Sequence, residues 1–365
     1  MTQASLRTLP FDITDPIAFL TNIPGLIGYY PAGEILVFGS TWEVVAGPES
    51  VTEHLRPGPL LVRPLCGDES LVDHLIDVAV TLSREGHNRV DIFVVEDGWG
   101  GAMGVAPDKE TLDDIFHPHD ISVAGYYGVQ ELYQGELVTD RDGNAIGEVG
   151  SVSVSPSALE YTRAGETIAP SIDEVLDRFA EDTEPRRELA ARALQLARAD
   201  VRRPTRLRLG KHNQTLAVFF TEWQELIDEI RSGTRSLDQV FDDEASLRVI
   251  ARCLDNVILR DMTLTALADD TADTARDVWL QCARVFAGTA RANALACYAL
   301  DRFHAGMSLI AQAALFVAME TDPEHSLTRL LEQALFAHIM GDALQTMVET
   351  AESVVDSVFD HRDAA

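Results

Sequence analysis

From Ala292 to His325 the chain reads ANALACYALDRFHAGMSLIAQAALFVAMETDPEH, with small and large residues placed as a tight pair of antiparallel helices requires. Ala299, Ala311 and Ala318 stand where two such helices approach closest, and Leu295, Tyr298 and Leu315 fill the groove between them. Pro323 then stops the second helix, because proline lacks an N–H and clashes with the preceding turn. Hairpins of this kind stack into layers, so at least this part of the chain is committed to a helical layer. The pattern specifies an architecture and a surface, and no reaction.

At 365 residues the chain exceeds what one hydrophobic core usually organises, so two domains are expected. A hydrophobic share of 46% excludes a mainly disordered chain, and no apolar run approaches the roughly 18 residues of a membrane span. The first residues, MTQASLRTLPFDITDP, contain acids and no continuous apolar stretch, so no secretory signal is read and a cytoplasmic protein is expected. Three of the four cysteines, Cys253, Cys282 and Cys297, lie in apolar helical patterns and read as small buried hydrophobes; Cys66 does not. No cysteine or histidine pair has zinc spacing, and no metal or cofactor is expected. The net charge of −30 argues against adhesion to nucleic acid or to anionic lipid.

Between Glu34 and about Gly150, short apolar runs alternate with helical periodicity, which predicts an α/β arrangement with a mixed sheet. Strands are expected at Ile35–Gly39, Trp42–Ala46, Leu60–Pro64, Val90–Val95 and Ile121–Gly125, and a hairpin at Glu136–Thr139 with Ala145–Val149. Helices are expected at Asp15–Leu26, Ser70–Gly86, Lys109–Phe116 and Ser171–Ala180. After Asp182 the pattern is helical to the end: Pro185–Val201, Gln214–Arg231, Leu237–Arg260, Ala272–Ala287, Ala290–Ala305, Ser308–Glu320, Leu327–Met340 and Ala343–Phe359. Gly233, Gly288, Gly306 and Gly341 read as helix-ending caps, and Ser236 with Gln239 as a capping box. Trp279, Phe286, Phe303 and Phe316 read as core. The domain order is thus an α/β domain over 1–183, an Arg-rich connecting helix and linker over 184–212, and an all-α, tetratricopeptide-like helical domain over 213–365.

Three segments carry a family resemblance. They are LIGYYPAGEILVFGS from Leu26, SPSALEYTRAGETIAPSIDEVLDRFAED from Ser155, and the run from Ala292 to Leu335 that contains ALDRFHAGMSLIAQAALFVAMETDPEHSLTRLLEQAL. Together and in this order they resemble the bacterial family catalogued as domain of unknown function 4192, over nearly the whole chain. The resemblance implies fold and domain order, and brings no activity. Where the family carries a Cys-rich loop after the last strands, this chain has ELYQGELVTDRDGNAIGEVG, without cysteine, so no metal or redox role transfers there.

Ligands of open α/β sheets bind beyond the carboxyl ends of strands, which directs attention to two acidic loops. Asp68 and Glu69 follow one strand; Glu96, Asp97 and Trp99 follow another, inside EDGWGGAMG. Paired carboxylates suit a hard cation or a cationic group, but the same residues are ordinary loop and helix-start residues. The Gly-rich run misses the dinucleotide fingerprint, since Met103 stands at the third glycine position and two acids would repel a phosphate. His117, His119 and Asp120 read as a solvated loop split by Pro118, and His74 as an exposed helix histidine flanked by Asp73 and Asp77.

The strongest electrostatic contrast is Arg186 to His212, which holds eight Arg and one Lys against Glu188 and Asp200, a balance of +7 in a chain of −30. Arg187, Arg192, Arg198, Arg202 and Arg203 share one side of the helix. They suit an intramolecular or protein contact, including one between domains, better than nucleic acid, because no aromatic residues are interleaved. The expected function is that of an intracellular adaptor or regulatory protein-binding module. The alternative is a metal-dependent enzyme or small-ligand-binding protein using the acidic loops, and the third is nucleic-acid binding through the Arg segment.

Overall fold

Asp15 opens the first helix, α1 (Pro16–Ile27), by accepting the Ile17 N–H at 2.9 Å, while Pro16 fills a first-turn position that needs no N–H partner. Gly28 closes it in the left-handed region at φ 85°, and a side chain there would also strike the Tyr161 hydroxyl. The computed structural model describes residues 10–46, 51–65, 69–96, 107–202, 209–337 and 339–363. Within them the chain divides into two compact units, Met1–Ile172 and Asp173–Ala365.

The first unit is built on β1 (Glu34–Ala46), β2 (Val51–Pro64), β3 (Arg89–Val95), β4 (Ser122–Val129), β5 (Leu137–Asp140) and β6 (Ala145–Glu148), in the sheet order β2-β1-β3-β4-β5-β6. β3 and β4 pair in parallel and the other neighbours are antiparallel, so the sheet is mixed. A parallel pair needs a crossover, which α3 (Lys109–Phe116) provides, as α2 (Glu69–Arg84) does between β2 and β3. Both helices cover one face, where Leu71, Leu75, Leu82 and Phe116 pack with Ile35, Val37, Ile92 and Val94. α1 covers the other: Phe19 stacks on Phe93 at 4.9 Å and leans on Phe38 at 4.6 Å. α4 (Pro156–Arg163) packs so closely on α1 that a Cβ at Gly25 would lie 2.3 Å from the Ala158 nitrogen. Buried Asn22 and Ser157 bond across that contact.

Two separate strands expected before Ala46 are one continuous β1, with a register shift between Phe38 and Ser40, and the short strand ending at Pro64 is the end of a longer β2. The hairpin turn at Asp140 forms as read: its carboxylate accepts the N–H groups of Asp142 and Asn144, each at 2.9 Å.

α5 (Ile172–Asp177) spans the division between the units. The second unit continues through α6 (Glu184–Arg202), α7 (Leu209–Arg231), α8 (Leu237–Phe241), α9 (Glu244–Asp255), α10 (Val257–Thr263), α11 (Ala272–Val285), α12 (Gly288–His304), α13 (Ser308–Thr321), α14 (Ser326–Phe336) and α15 (Met340–Asp363). The single helix expected over Leu237–Arg260 is three. Asp243 and Asn256 each turn their side chains onto the next helix's free N–H groups and restart it. The Ser236–Gln239 capping box is present, and Gly233 and Gly306 follow helix ends at positive φ; Gly288, also at positive φ, is instead the first residue of α12, and Gly341 lies inside α15.

α12 is the core of this unit, buried on every side from Ala290 to Phe303. α13 packs along it through Ala311 and Ala318, both fully buried, as the small-residue pattern requires.

Candidate functional site

The acidic edge of the sheet is where the sequence places its ligand-binding residues. Asp68, Asp97 and Trp99 lie outside the described residues, as do Cys66 and the Gly98–Gly104 run; of Glu69 only its place as the first residue of α2 is described. Glu96 leaves the end of β3 with its N–H on the Val129 carbonyl at 3.1 Å. Burial pushes the Tyr126 hydroxyl up, Asp108 and Glu96 add to that, and its O–H donates to the Pro107 carbonyl at 2.7 Å.

On the opposite face of the same edge the structure shows a carboxylate that sequence reasoning missed. Glu34 begins β1, in register with Val95 at the end of β3 and Pro64 at the end of β2. It shares its face with Leu36 and Phe38, and the turn after α1 lays Tyr29 against it, with the Tyr29 hydroxyl donating to Glu34 Oε1 at 3.1 Å. Tyr29 is held there by strand-like pairing with Ala169. Glu34 Oε2 is buried and has no hydrogen-bond partner. Burial raises the carboxyl to about 7, with the Tyr29 hydrogen bond pulling weakly the other way. A group poised at neutrality can take or release a proton or hold a cation. Nothing in the sequence marks it, since a Glu at a strand start reads as an exposed edge charge.

In the helical unit the Arg-rich face of α6 meets carboxylates of its own unit. Arg187 pairs with Glu181 at 2.6 Å, Arg192 with Glu244 at 3.2 Å, and Arg198 with Asp255 at 2.7 Å. Arg186 bridges Asp182, Asp238 and Asp242. The pairing also runs in reverse: Asp200 of α6 accepts from Arg248 and Arg252 of α9, and Arg252 reaches Glu222 as well. The Arg202 side chain and Arg203 lie outside the described residues. Each exposed pair is worth little by itself, but a row of them aligns α6 on α9 and occupies guanidinium groups that phosphates would otherwise need.

The outer surface of the α12–α13 hairpin differs in kind. α13 is apolar almost all round, and while its alanine side is buried, Phe316 is 54% exposed and Leu309, Val317 and Met319 are half-buried. Phe316 is therefore not the core residue that its type suggests; Trp279, Phe286 and Phe303 are buried.

The model of one protein family, described as Domain of unknown function (DUF4192), matches residues 16–340. The chain belongs to that family. No curated protein and no solved structure matches it.

In this DUF4192 chain the remaining sequence candidates are placed as follows. His117–His119 form a single 3-10 turn ending at Asp120, which takes a positive φ of 59°, and among the described residues no group of three or more His, Cys, Asp or Glu is placed to hold a metal ion. His74 is half-buried rather than exposed, with Nδ1 enclosed and unpartnered. Cys253, Cys282 and Cys297 are free and fully buried; burial pushes the Cys297 thiol up to about 12 and the other two also upward, so none is a ready thiolate. A polar network ties α10, α12 and α14: Asn293 Oδ1 accepts from Arg260 at 2.7 Å and from His325 Nε2 at 2.9 Å, while Asn293 Nδ2 donates to the Leu254 carbonyl at 2.8 Å. His325 Nδ1 then faces Thr328, and burial, with Arg260 nearby, lowers its affinity for a second proton. Among the described residues no helix is long and apolar enough to cross a membrane.

Proposed function

We propose that the protein is a cytoplasmic adaptor or regulatory protein whose helical unit binds a partner protein along α13. One observation carries this reading: Phe316 stands 54% exposed in a helix that is apolar nearly all round. Helices of that composition are normally covered on every side, and a lone aromatic at the centre of a half-buried apolar row is the usual anchor of a protein contact. The partner it fits presents an apolar side-chain row with basic flanks. Glu320 and Glu324 stand exposed beyond one end of the row, and the chain's charge of −30 steers cationic surfaces towards it. The buried, protonated cysteines suit a reducing compartment. Satisfaction of the α6 arginines within the helical unit supports this reading over nucleic-acid binding.

The test is site-specific photo-crosslinking of the full chain in its host cell, with the probe at 316 and, as control, at exposed Glu225 on α7. The expected result is one discrete adduct from 316, absent from 225, joined through a basic peptide and weakened by Glu320→Lys. Equal patterns from both positions overturn the reading. So does an adduct of twice the chain mass, which would assign the face to a second copy.

A further inference from the structure

The partner-binding reading gives no role to the polar cluster under α14, although its central side chain is of the one kind that changes charge near neutrality. His325 is 5% exposed and stands at the head of α14, where two contacts fix its hydrogen. Asn293 is oriented by its own partners: Nδ2 donates to the Leu254 carbonyl and Oδ1 accepts from Arg260. His325 Nε2, 2.9 Å from that oxygen, therefore carries a hydrogen. Nδ1 is the cap of the helix and accepts the backbone N–H of Thr328. The ring that satisfies both contacts is neutral, with its hydrogen on Nε2.

A second proton has no favourable place on that ring. On Nδ1 it meets the Thr328 N–H donor to donor and uncaps a first turn whose free N–H groups already disfavour a cation. The Thr328 hydroxyl, 2.7 Å from Nδ1, can turn to accept it, but the buried backbone N–H then loses its cap. The charges around the ring oppose one another. Arg260 of α10, paired with Asp261, shares Asn293 Oδ1 with the imidazole and works against a cation there. Of the helices packed on α14, α12 brings neutral Asn293, α13 ends in Asp322, which favours a cation, and α15 brings no charge that acts on the ring among the described residues. Burial and Arg260 outweigh Asp322, so the folded ring holds a proton less tightly than a free imidazole does.

We propose that His325 is an acid-sensitive latch on α14, closed while the imidazole is neutral and opened when a proton on Nδ1 displaces the Thr328 N–H. Opening frees the first turns of α14 and uncovers Leu327 and Leu331, which are buried in the closed state. The capped state is fully favoured above the ordinary imidazole value and weakens as pH falls below it. α14 also packs on α13, so the latch ties the surroundings of Phe316 to pH. That consequence rests on the partner-binding reading; the latch itself does not.

The experiment follows the full chain by NMR of the histidine rings and by hydrogen exchange between pH 7.5 and pH 5. At pH 7.5 the His325 ring is expected to be neutral with its hydrogen on Nε2. Exchange, corrected for its intrinsic pH dependence, is then compared between residues 326–336 and α12. Below the ordinary imidazole value of 6.5, protection of 326–336 is expected to drop by up to about tenfold per pH unit, levelling where the folded ring takes its proton, while α12 stays protected. His325→Asn keeps a capping oxygen and removes the titration, so protection of its 326–336 segment is flat over the range. A hydrogen on Nδ1 at pH 7.5, protection of 326–336 that ignores pH, the same pH dependence in His325→Asn, or a parallel loss in α12, which marks global unfolding, each overturns the proposal. Should His325→Asn not fold, the wild type decides alone: a ring that takes its proton while α14 stays protected overturns the latch, and loss of protection ahead of the ring's own titration supports it.

Discussion

Glu34 makes the stability of the protein depend on pH in a direction opposite to most carboxylates. Its folded value of about 7 lies above the ordinary 4.5, so the native chain holds the proton more tightly than the unfolded chain does. The contribution is complete below the ordinary value and is lost as pH rises through about 7. The shift corresponds to on the order of 3 kcal/mol between those limits. Glu34→Gln, neutral at every pH, is therefore expected to overtake the wild type as pH rises from 5 to 8, with urea-unfolding midpoints as the measure. Equal pH dependence in both proteins would show that the carboxyl is solvated. Burial of the cysteines is at the same scale and was readable, because apolar neighbours at helical spacing enclose a small side chain wherever the helix packs. The setting of Glu34 was not, because it depends on the turn after α1 returning Tyr29 to the start of β1.

At the scale of elements, the α12–α13 hairpin is held by the close approach that Ala299, Ala311 and Ala318 allow. Ala311→Leu forces extra methylenes into a filled seam and is expected to cost about 1–3 kcal/mol, whereas Phe316→Ser on the exposed side stays within about 0.5 kcal/mol. Thermal and urea unfolding of the two variants distinguish the faces, and similar losses from both would place Phe316 in a packed environment. The hairpin was legible because small residues at helical spacing have one physical use. The breaks at Asp243 and Asn256 were not: both residues sit at positions that continue the apolar period, and only the turning of their side chains onto following N–H groups ends one helix and starts the next. The length of β1 escaped for a related reason, since Ser40 and Thr41 fall between two expected strands while the ladder to β2 continues through both of them. Of the loops singled out at the strand ends, Glu96 is placed beside Tyr126, and the buried acid lies at a strand start instead.

For the molecule as a whole, the division between Ile172 and Asp173 gives the helical unit a segment that composition assigns elsewhere. Phe179, fully buried, packs edge-on against Tyr298 at 5.5 Å, and its carbonyl accepts from Arg291 at 2.8 Å. A fragment of residues 184–365 lacks that plug and is expected to be about 3–5 kcal/mol less stable than one of residues 171–365, as for other buried Phe deletions. Matching urea midpoints for the two fragments would refute the role of Phe179. The Asn293 network has a consequence of another kind. α12 is buried on every side and rich in alanine, and its alanine faces by themselves would let it rotate about its axis at little cost in buried area. The amide of Asn293 cannot follow such a rotation: its oxygen is gripped by Arg260 and His325 and its nitrogen by the Leu254 carbonyl, so turning the helix or flipping the amide strands several donors at once. With the Arg291 bond to the Phe179 carbonyl it keys the shaft at two points, and so fixes which face of α12 the helix carrying Phe316 packs against.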